Sequence, residues 1–369
     1  MLFTCSQEQL NRAMTLVGRA VSTRVAMPIL SNVLLETQKD GVKFAATDLD
    51  HGIQTTISAT IKKGGAITLP ARLFTEIVAN LPAAQVQINV DENGRNIQIQ
   101  CERITYDLVG IPASEFPLMP ETDTAVVASV DASLLRTMVR QTSFAVSTDE
   151  TRVFLTGLYI VLDGDEMRLV ATDGGRLALR TAKISKPATQ KVGVIVPAKT
   201  MAELVRALAG GEGPVEIALA ENQIVFTFPG ARLVSRLIPG PFPNYQQVIP
   251  QGHKQQLTIG TEKMLAAVKR VAITARDSAN VVRLHATADT LTLASNTPEF
   301  GSSEETIPVV AEGETIQTAF NARYLLDCLQ VIDTQEIALD LTGPLSPGAI
   351  RPTGQTDYTY VLAPVRVAT

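Results

Sequence analysis

The chain has 369 residues, 45% of them hydrophobic, which is too long for one ordinary core and supplies apolar material for two or three domains. A formal net charge of −5 and a pI near 5.4 argue, taken over the whole chain, against a nucleic-acid partner, because phosphate binding draws on Lys and Arg. Cys5, Cys101 and Cys328 are odd in number and scattered, which fits reduced thiols in a cytosol better than a disulfide framework and offers no metal-binding spacing.

The N-terminal "MLFTCSQEQL" has neither the basic start nor the apolar run of a secretory signal. No window reaches the roughly 18 apolar residues of a membrane helix, so a cytoplasmic protein without membrane contact is expected. A helix is predicted over 8–21, opened by a Ser6…Gln9 capping box, with Leu10, Met14, Val17 and Val21 on one face. "NVLLETQKDGVKFAAT" reads as a hairpin around Asp40-Gly41. A second helix, 72–80, follows "LPARLF" with Pro70 just outside it, and "VQINVD", "NIQIQC" and "TYDLVGI" read as strands. The order then starts again. A helix over 132–146 behind an Asp131 cap carries Leu135, Val139 and Val146, "GLYIVLDGDEMRLVAT" forms a hairpin, and "VPAKTM" opens a helix over 198–208. A third pass gives helix 261–275, with Met264, Leu265, Val268, Val271 and Ala272 inward, and helix 322–331 after "FNARYL".

This recurrence is an internal repeat. "ATDLD" at Ala46 is echoed by "ATDGG" at Ala171 and more weakly by "ASNTP" at Ala294, the first two aspartates lying 125 residues apart. Pro70, Pro197 and Asn321 are spaced by 127 and 124 residues, and Pro112, Pro239 and Pro364 by 127 and 125. The chain is therefore read as three diverged copies of one α+β unit, 1–125, 126–252 and 253–369, each with two helices covering one face of antiparallel sheets.

Charge is unevenly divided. The six predicted helices hold eleven basic and five acidic residues, a balance of +6, and the remainder holds 21 basic and 32 acidic, a balance of −11. Such polarisation allows one face to meet a phosphate backbone while the rest of the surface repels it.

In order and spacing, "MPILSNVLLE", "ATDLD", "LPARLF", "EFP", "RVFLTGLY", "ATDGGRLA", "VPAKTM", "PFPNYQQVIP" and "YVLAPVR" resemble the bacterial sliding clamps, the beta subunits of the replicative DNA polymerase holoenzyme, over essentially all 369 residues. The resemblance implies a head-to-tail homodimeric ring of three clamp domains per chain, its helices lining a pore that encircles duplex DNA without reading its sequence. It also implies a nucleoid-associated processivity factor without cofactor, metal or catalysis. Expected partners are the replicative polymerase, the clamp loader, other polymerases, and mismatch-repair and ligase-type proteins that bind through short peptides with Leu or Phe anchors.

The family's peptide cleft falls here on Leu155, Thr172, Gly174, Gly175, Arg176, Leu177, Pro243, Gln247, Val248, Val361, Leu362, Ala363, Pro364, Val365 and Arg366. Apolar anchors need an apolar concavity, glycine lets backbone approach closely, and Arg176 or Arg366 is expected at the rim to meet a peptide carbonyl or carboxylate. Asp173 is read as structural, since Asp48 repeats it where the family has no cleft. Gly175, Gln247 and Ala363 stand where relatives carry larger or more basic side chains, so a less basic rim and a roomier pocket are expected. A DNA contact carries over to Arg24 in the loop after the first helix. Arg72 and Lys199, which repeat in corresponding places, with Arg323 close to them in the third copy, are expected to line the pore, and Arg12, Arg136, Arg140 and Arg206 are the further basic candidates on the predicted helices. The dimer seam carries over to Tyr106 and Leu108 against Ile273 and Thr274, the last replacing an apolar residue and predicting a weaker seam.

Two other readings come from different classes. An enzyme with a dispersed site finds little support: His51, His253 and His285 lack paired spacing, "AGGEGP" lacks the P-loop's G-K-[ST], and "LDGDEM" lacks the calcium-loop pattern. A peptide-binding scaffold indifferent to DNA would leave the basic helices unexplained.

Overall fold

The computed structural model describes residues 1–22, 27–91, 93–117, 119, 125–188, 190–276, 279–297 and 301–366. Its six helices are α1 (Gln7–Val17), α2 (Ala71–Asn80), α3 (Ala132–Thr142), α4 (Ala198–Ala207), α5 (Thr261–Ala275) and α6 (Ala322–Leu329). Short 3₁₀ turns extend α1 through Ala20 and α3 through Ala145, so the predicted ends at 21 and 146 include a turn that tightens before the chain leaves the helix.

The starts follow local chemistry. Ser6 Oγ accepts the Gln9 N–H at 3.3 Å, but the capping box is only half formed, because Ser6 Oγ itself donates to Gln9 Oε1 at 3.1 Å. Asp131 accepts the Ser133 N–H at 2.8 Å, and Asn321 accepts the N–H groups of Arg323 and Tyr324 at the head of α6. Pro70 is the N-cap of α2, where its missing N–H costs nothing.

Two compact units hold these elements. The first comprises Met1–Ser133, Ser185–Thr189 and Ala202–Leu237. It contains a five-stranded antiparallel sheet that ends on Ile104–Val109 and a nine-stranded sheet in which His51–Ile57 of the first repeat pairs with Ala231–Arg236 of the second, Ile53 opposite Leu233. Phe3, Leu10, Met14, Phe44, Phe74 and Phe226 are fully buried there, each contributing about 1.5–3 kcal/mol by leaving water. α1 packs on α2 and across the strand His51–Ile57.

The second unit comprises Leu134–Ile184, Gln190–Met201 and Ile238–Thr369. Its nine-stranded sheet is built the same way: Arg176–Lys183 of the second repeat pairs with Tyr358–Leu362 of the third, Leu177 opposite Val361. A four-stranded sheet ends on Gly301–Pro308. α5 lies against that sheet and α6, burying Met264, Val268 and Val271 as the helical spacing predicts. No helix among the described residues is long and apolar enough to cross a membrane.

Candidate functional site

The opening echo of the sequence is an echo in structure. In "ATDLDH", Thr47 Oγ1 donates to the His51 carbonyl and accepts the Leu49 N–H, while Asp48 Oδ1 accepts the N–H groups of Asp50 and His51. In "ATDGGR" the same bonds recur: Thr172 Oγ1 to the Arg176 carbonyl at 2.6 Å, Gly174 N–H to Thr172, and Gly175 and Arg176 N–H to Asp173 Oδ1 at 2.8 and 3.0 Å. The third residue of each turn is left-handed, Leu49 at φ 78° and Gly174 at φ 94°. Asp173 is thus the turn's brace, as Asp48 predicts.

That turn presents the strand Arg176–Lys183 to the C-terminal strand. Leu177 and Val361 form a buried cluster with Val170 and Tyr245, and Tyr159, Leu179, Phe242 and Ile249 pack against it. The Tyr159 and Phe242 rings stack at 4.7 Å, which seats the segment carrying Pro243, Gln247 and Val248 on this floor. Val248 is 48% exposed and Pro243 and Gln247 are exposed, whereas Leu155, Leu177 and Leu362 are buried. Ala363 N–H bonds the Gly175 carbonyl at 2.9 Å and Val365 N–H the Ala319 carbonyl at 2.8 Å, so the tail crosses the end of the turn with Ala363 and Arg366 exposed.

Two expectations need correction. Arg176 is not a rim cation: its side chain is 9% exposed, Nε donates to Asp173 at 3.0 Å, Nη1 to Asp327 at 2.6 Å and Nη2 to the Phe144 carbonyl at 2.6 Å. Burial opposes its charge, but Asp327, Tyr360 and Asp173 together more than restore it and hold the guanidinium above its ordinary pKa. Arg366 is left as the exposed arginine of the pair. Gly175 does not make the pocket roomier either, because a Cβ there would lie 3.2 Å from Cε2 of Tyr324, whose ring occupies that space.

Tyr324, Asp327 and Phe144 were not reached by sequence reasoning. Their signal was faint: Tyr324 and Asp327 sit at i and i+3 on α6, polar groups on a largely buried helix. Beside the turn lies a cavity of about 290 Å³ walled by Val146, Asp149, Arg152, Asp173, Arg176, Arg323 and Tyr324, so Arg323, expected from register to meet DNA, opens onto this concavity.

Of the other cations, Arg12, Arg72 and Lys199 are exposed and Arg136 is half-buried. Arg140 is paired with Asp333 and Arg206 with Glu203, which weakens both as phosphate ligands. Arg24 lies outside the described residues. Arg12, Arg19 and Arg206 line a groove of about 670 Å³ in the first unit. Ile273 is 60% exposed and Tyr106 37%, while Leu108 and Thr274 are half-buried. Thr274 Oγ1 bonds Ser303 Oγ at 2.6 Å and the Val271 carbonyl at 3.2 Å, so the hydroxyl that departs from an apolar pattern is satisfied within its own chain. Among the described residues no three His, Cys, Asp or Glu side chains are grouped to hold a metal ion.

Family models match along the whole chain: "DNA polymerase III beta subunit, N-terminal domain" over 1–120, the central domain over 129–244 and the C-terminal domain over 246–366. The chain belongs to the DNA polymerase III beta-subunit family, the bacterial sliding clamps. It is 35% identical to the beta sliding clamp of Bacillus subtilis over 99% of this chain and 100% of that one, and 36% identical to that of Caulobacter vibrioides over the full length of both. The crystal structure of the Bacillus subtilis clamp superposes at a TM-score of 0.96, with 34% identity and full coverage of both chains. A clamp from Bartonella birtlesii bound to griselimycin superposes at 0.92, also at 34% identity and full coverage. The three tandem domains are clamp domains, and the function is that of a sliding clamp, a processivity factor of DNA replication.

Proposed function

We propose that two copies of this chain close head to tail around duplex DNA and that the cleft of Leu155, Thr172, residues 174–177, Pro243, Gln247, Val248 and residues 361–366 tethers replication and repair proteins to the ring. Each chain contributes three domains, 1–125, 126–252 and 253–369. The observation that carries this reading is the threefold clamp repeat, with basic helices on a chain of net charge −5. Helices that touch phosphates give little sequence readout, and a few salt-screened contacts permit sliding, so retention comes from topology and not from affinity. Arg12, Arg72, Arg136, Lys199 and Arg24 are the cations assigned to the duplex, with Arg140, Arg206 and Arg323 as weaker contributors. Tyr106 and Leu108 of one chain face Ile273 and Thr274 of the next across the seam. The cleft takes peptides with Leu or Phe anchors from the polymerase, the clamp loader and other polymerases, and from mismatch-repair and ligase-type proteins, in a cytoplasmic, nucleoid-associated setting. The chain does this without catalysis of its own.

The decisive experiment loads the protein with a cognate clamp loader and ATP onto a nicked circle, then linearises half of the sample in salt high enough to screen phosphate contacts. Long residence on the circle with rapid loss from the linear form is expected. Equal loss from both would replace encirclement with simple electrostatic binding.

A further inference from the structure

The turn at 172–176 has an internal comparison in the first repeat. His51 stands where Arg176 stands, and its Nδ1 lies 3.0 Å from Asp48, a residue of the same turn. Asp173 makes the equivalent contacts in the second repeat, so that turn closes from its own residues. Arg176 nevertheless reaches onward to Asp327 at 2.6 Å and the Phe144 carbonyl at 2.6 Å, with the Tyr324 ring 4.3 Å from its Cζ. This extension belongs to the repeat that carries the cleft, and is absent from the described residues of the matching turn in the first.

Three of the five guanidinium N–H groups are engaged within the chain, so Arg176 cannot swing its side chain towards a peptide without surrendering those bonds. It can instead fix distances. Asp327 anchors α6 to the strand Arg176–Lys183, whose second residue, Leu177, lies in the cleft floor. Tyr324, one turn earlier on α6, covers the guanidinium and fills the space beside Gly175.

We propose that Asp327 is a positioning residue of the cleft: acting through Arg176, it holds α6 and Tyr324 against the 172–176 turn at the spacing at which the cleft accepts a partner peptide. This rests on the reading that the cleft takes peptides. Replacing the carboxylate leaves the guanidinium with Asp173 as its one ion-pair partner and reduces the link to α6 to a neutral hydrogen bond, which is weaker than one between charged groups.

The test uses the full chain and a fluorescein-labelled hexapeptide ending in Leu-Phe, read by anisotropy, with the melting temperature of every variant measured alongside. Asp327→Asn should weaken binding about tenfold, the size of effect set by one hydrogen bond to a charged group. Asp327→Glu, which keeps the carboxylate, should recover most of that loss. Adding Arg176→Lys to Asp327→Asn should weaken binding no further than Arg176→Lys alone, since both remove one link. General loosening would instead lower affinity only in step with the melting temperature and would add across the two sites. Val248→Glu, on the exposed wall, should abolish binding. If it does while Asp327→Asn binds as wild type, or more tightly because a freed Arg176 meets the peptide, the role of Asp327 is overturned and the cleft stands. If wild type fails to bind, or Val248→Glu leaves affinity unchanged, the cleft reading falls and this proposal falls with it.

Discussion

Leu177 and Val248, both assigned to the proposed cleft, stand in opposite physical situations. Leu177 is buried in a cluster of its own chain, so Leu177→Ala removes core as well as floor. It should cost about 2–5 kcal/mol of stability in chemical denaturation and weaken peptide binding at the same time. Val248 is 48% exposed, so Val248→Ala should leave stability within about 0.5 kcal/mol and lower peptide affinity alone. An equal stability loss for both would mean that Val248 is packed in solution. The cysteines are simpler: all three are buried, and burial pushes the Cys5 thiol up to about 12 and raises Cys101 and Cys328 as well. Iodoacetamide at pH 8 should therefore leave the native protein unlabelled by mass spectrometry and label three sites once it is unfolded in urea. At this scale the sequence showed residue type and not surroundings. Asp173 could be read as a turn brace because Asp48 repeats it, but the partners of Arg176 could not, because Asp327 is 151 residues away and nothing local marks the pair.

Helices were the most legible elements, because their apolar residues recur at 3.6-residue spacing and their starts carry Asp131, Asn321 or Pro70. The bounds of α5 match the expectation residue for residue, while α1 gives way to a 3₁₀ turn at Gly18, where glycine weakens the helical ladder. The charge count on those helices was legible in sign and not in effective size, because pairing is tertiary: Asp333 answers Arg140, whereas Arg12 lines its groove with no acidic partner among the described residues. The two should differ in salt dependence. Replacing Arg12 with Ala should lower the slope of log K against log salt for duplex binding by about 0.9, the share of one phosphate contact. Arg140→Ala should change it by less, since its charge is already answered. A larger loss from Arg140 would show that the pair with Asp333 opens on DNA.

At the scale of the whole molecule, the repeat was legible from spacing alone, but the way the copies join was not. Each nine-stranded sheet takes strands from two consecutive repeats, through Ile53 opposite Leu233 and Leu177 opposite Val361, and such pairing depends on which edges meet after the copies fold. The same logic leaves further edges at the ends of the sheets. Ile104–Val109 ends the five-stranded sheet with Ile104, Tyr106 and Val109 exposed, and Gly301–Pro308 ends the four-stranded one. An exposed edge strand with apolar side chains, as Ile104–Val109 is, invites aggregation unless something pairs with it, and a head-to-tail neighbour would pair it with the more polar Gly301–Pro308. Sedimentation should therefore give a dimer at micromolar concentration. Placing lysines at Ile104 and Val109 together should shift it to monomer, because charge on an edge strand opposes pairing, while the peptide cleft, built from other residues, keeps its affinity. The same double variant should lose its long residence on circular DNA, since an open chain has no topology to retain it. A monomeric variant that still stayed on the circle would separate retention from ring closure, and the seam would then have to be sought elsewhere on the chain.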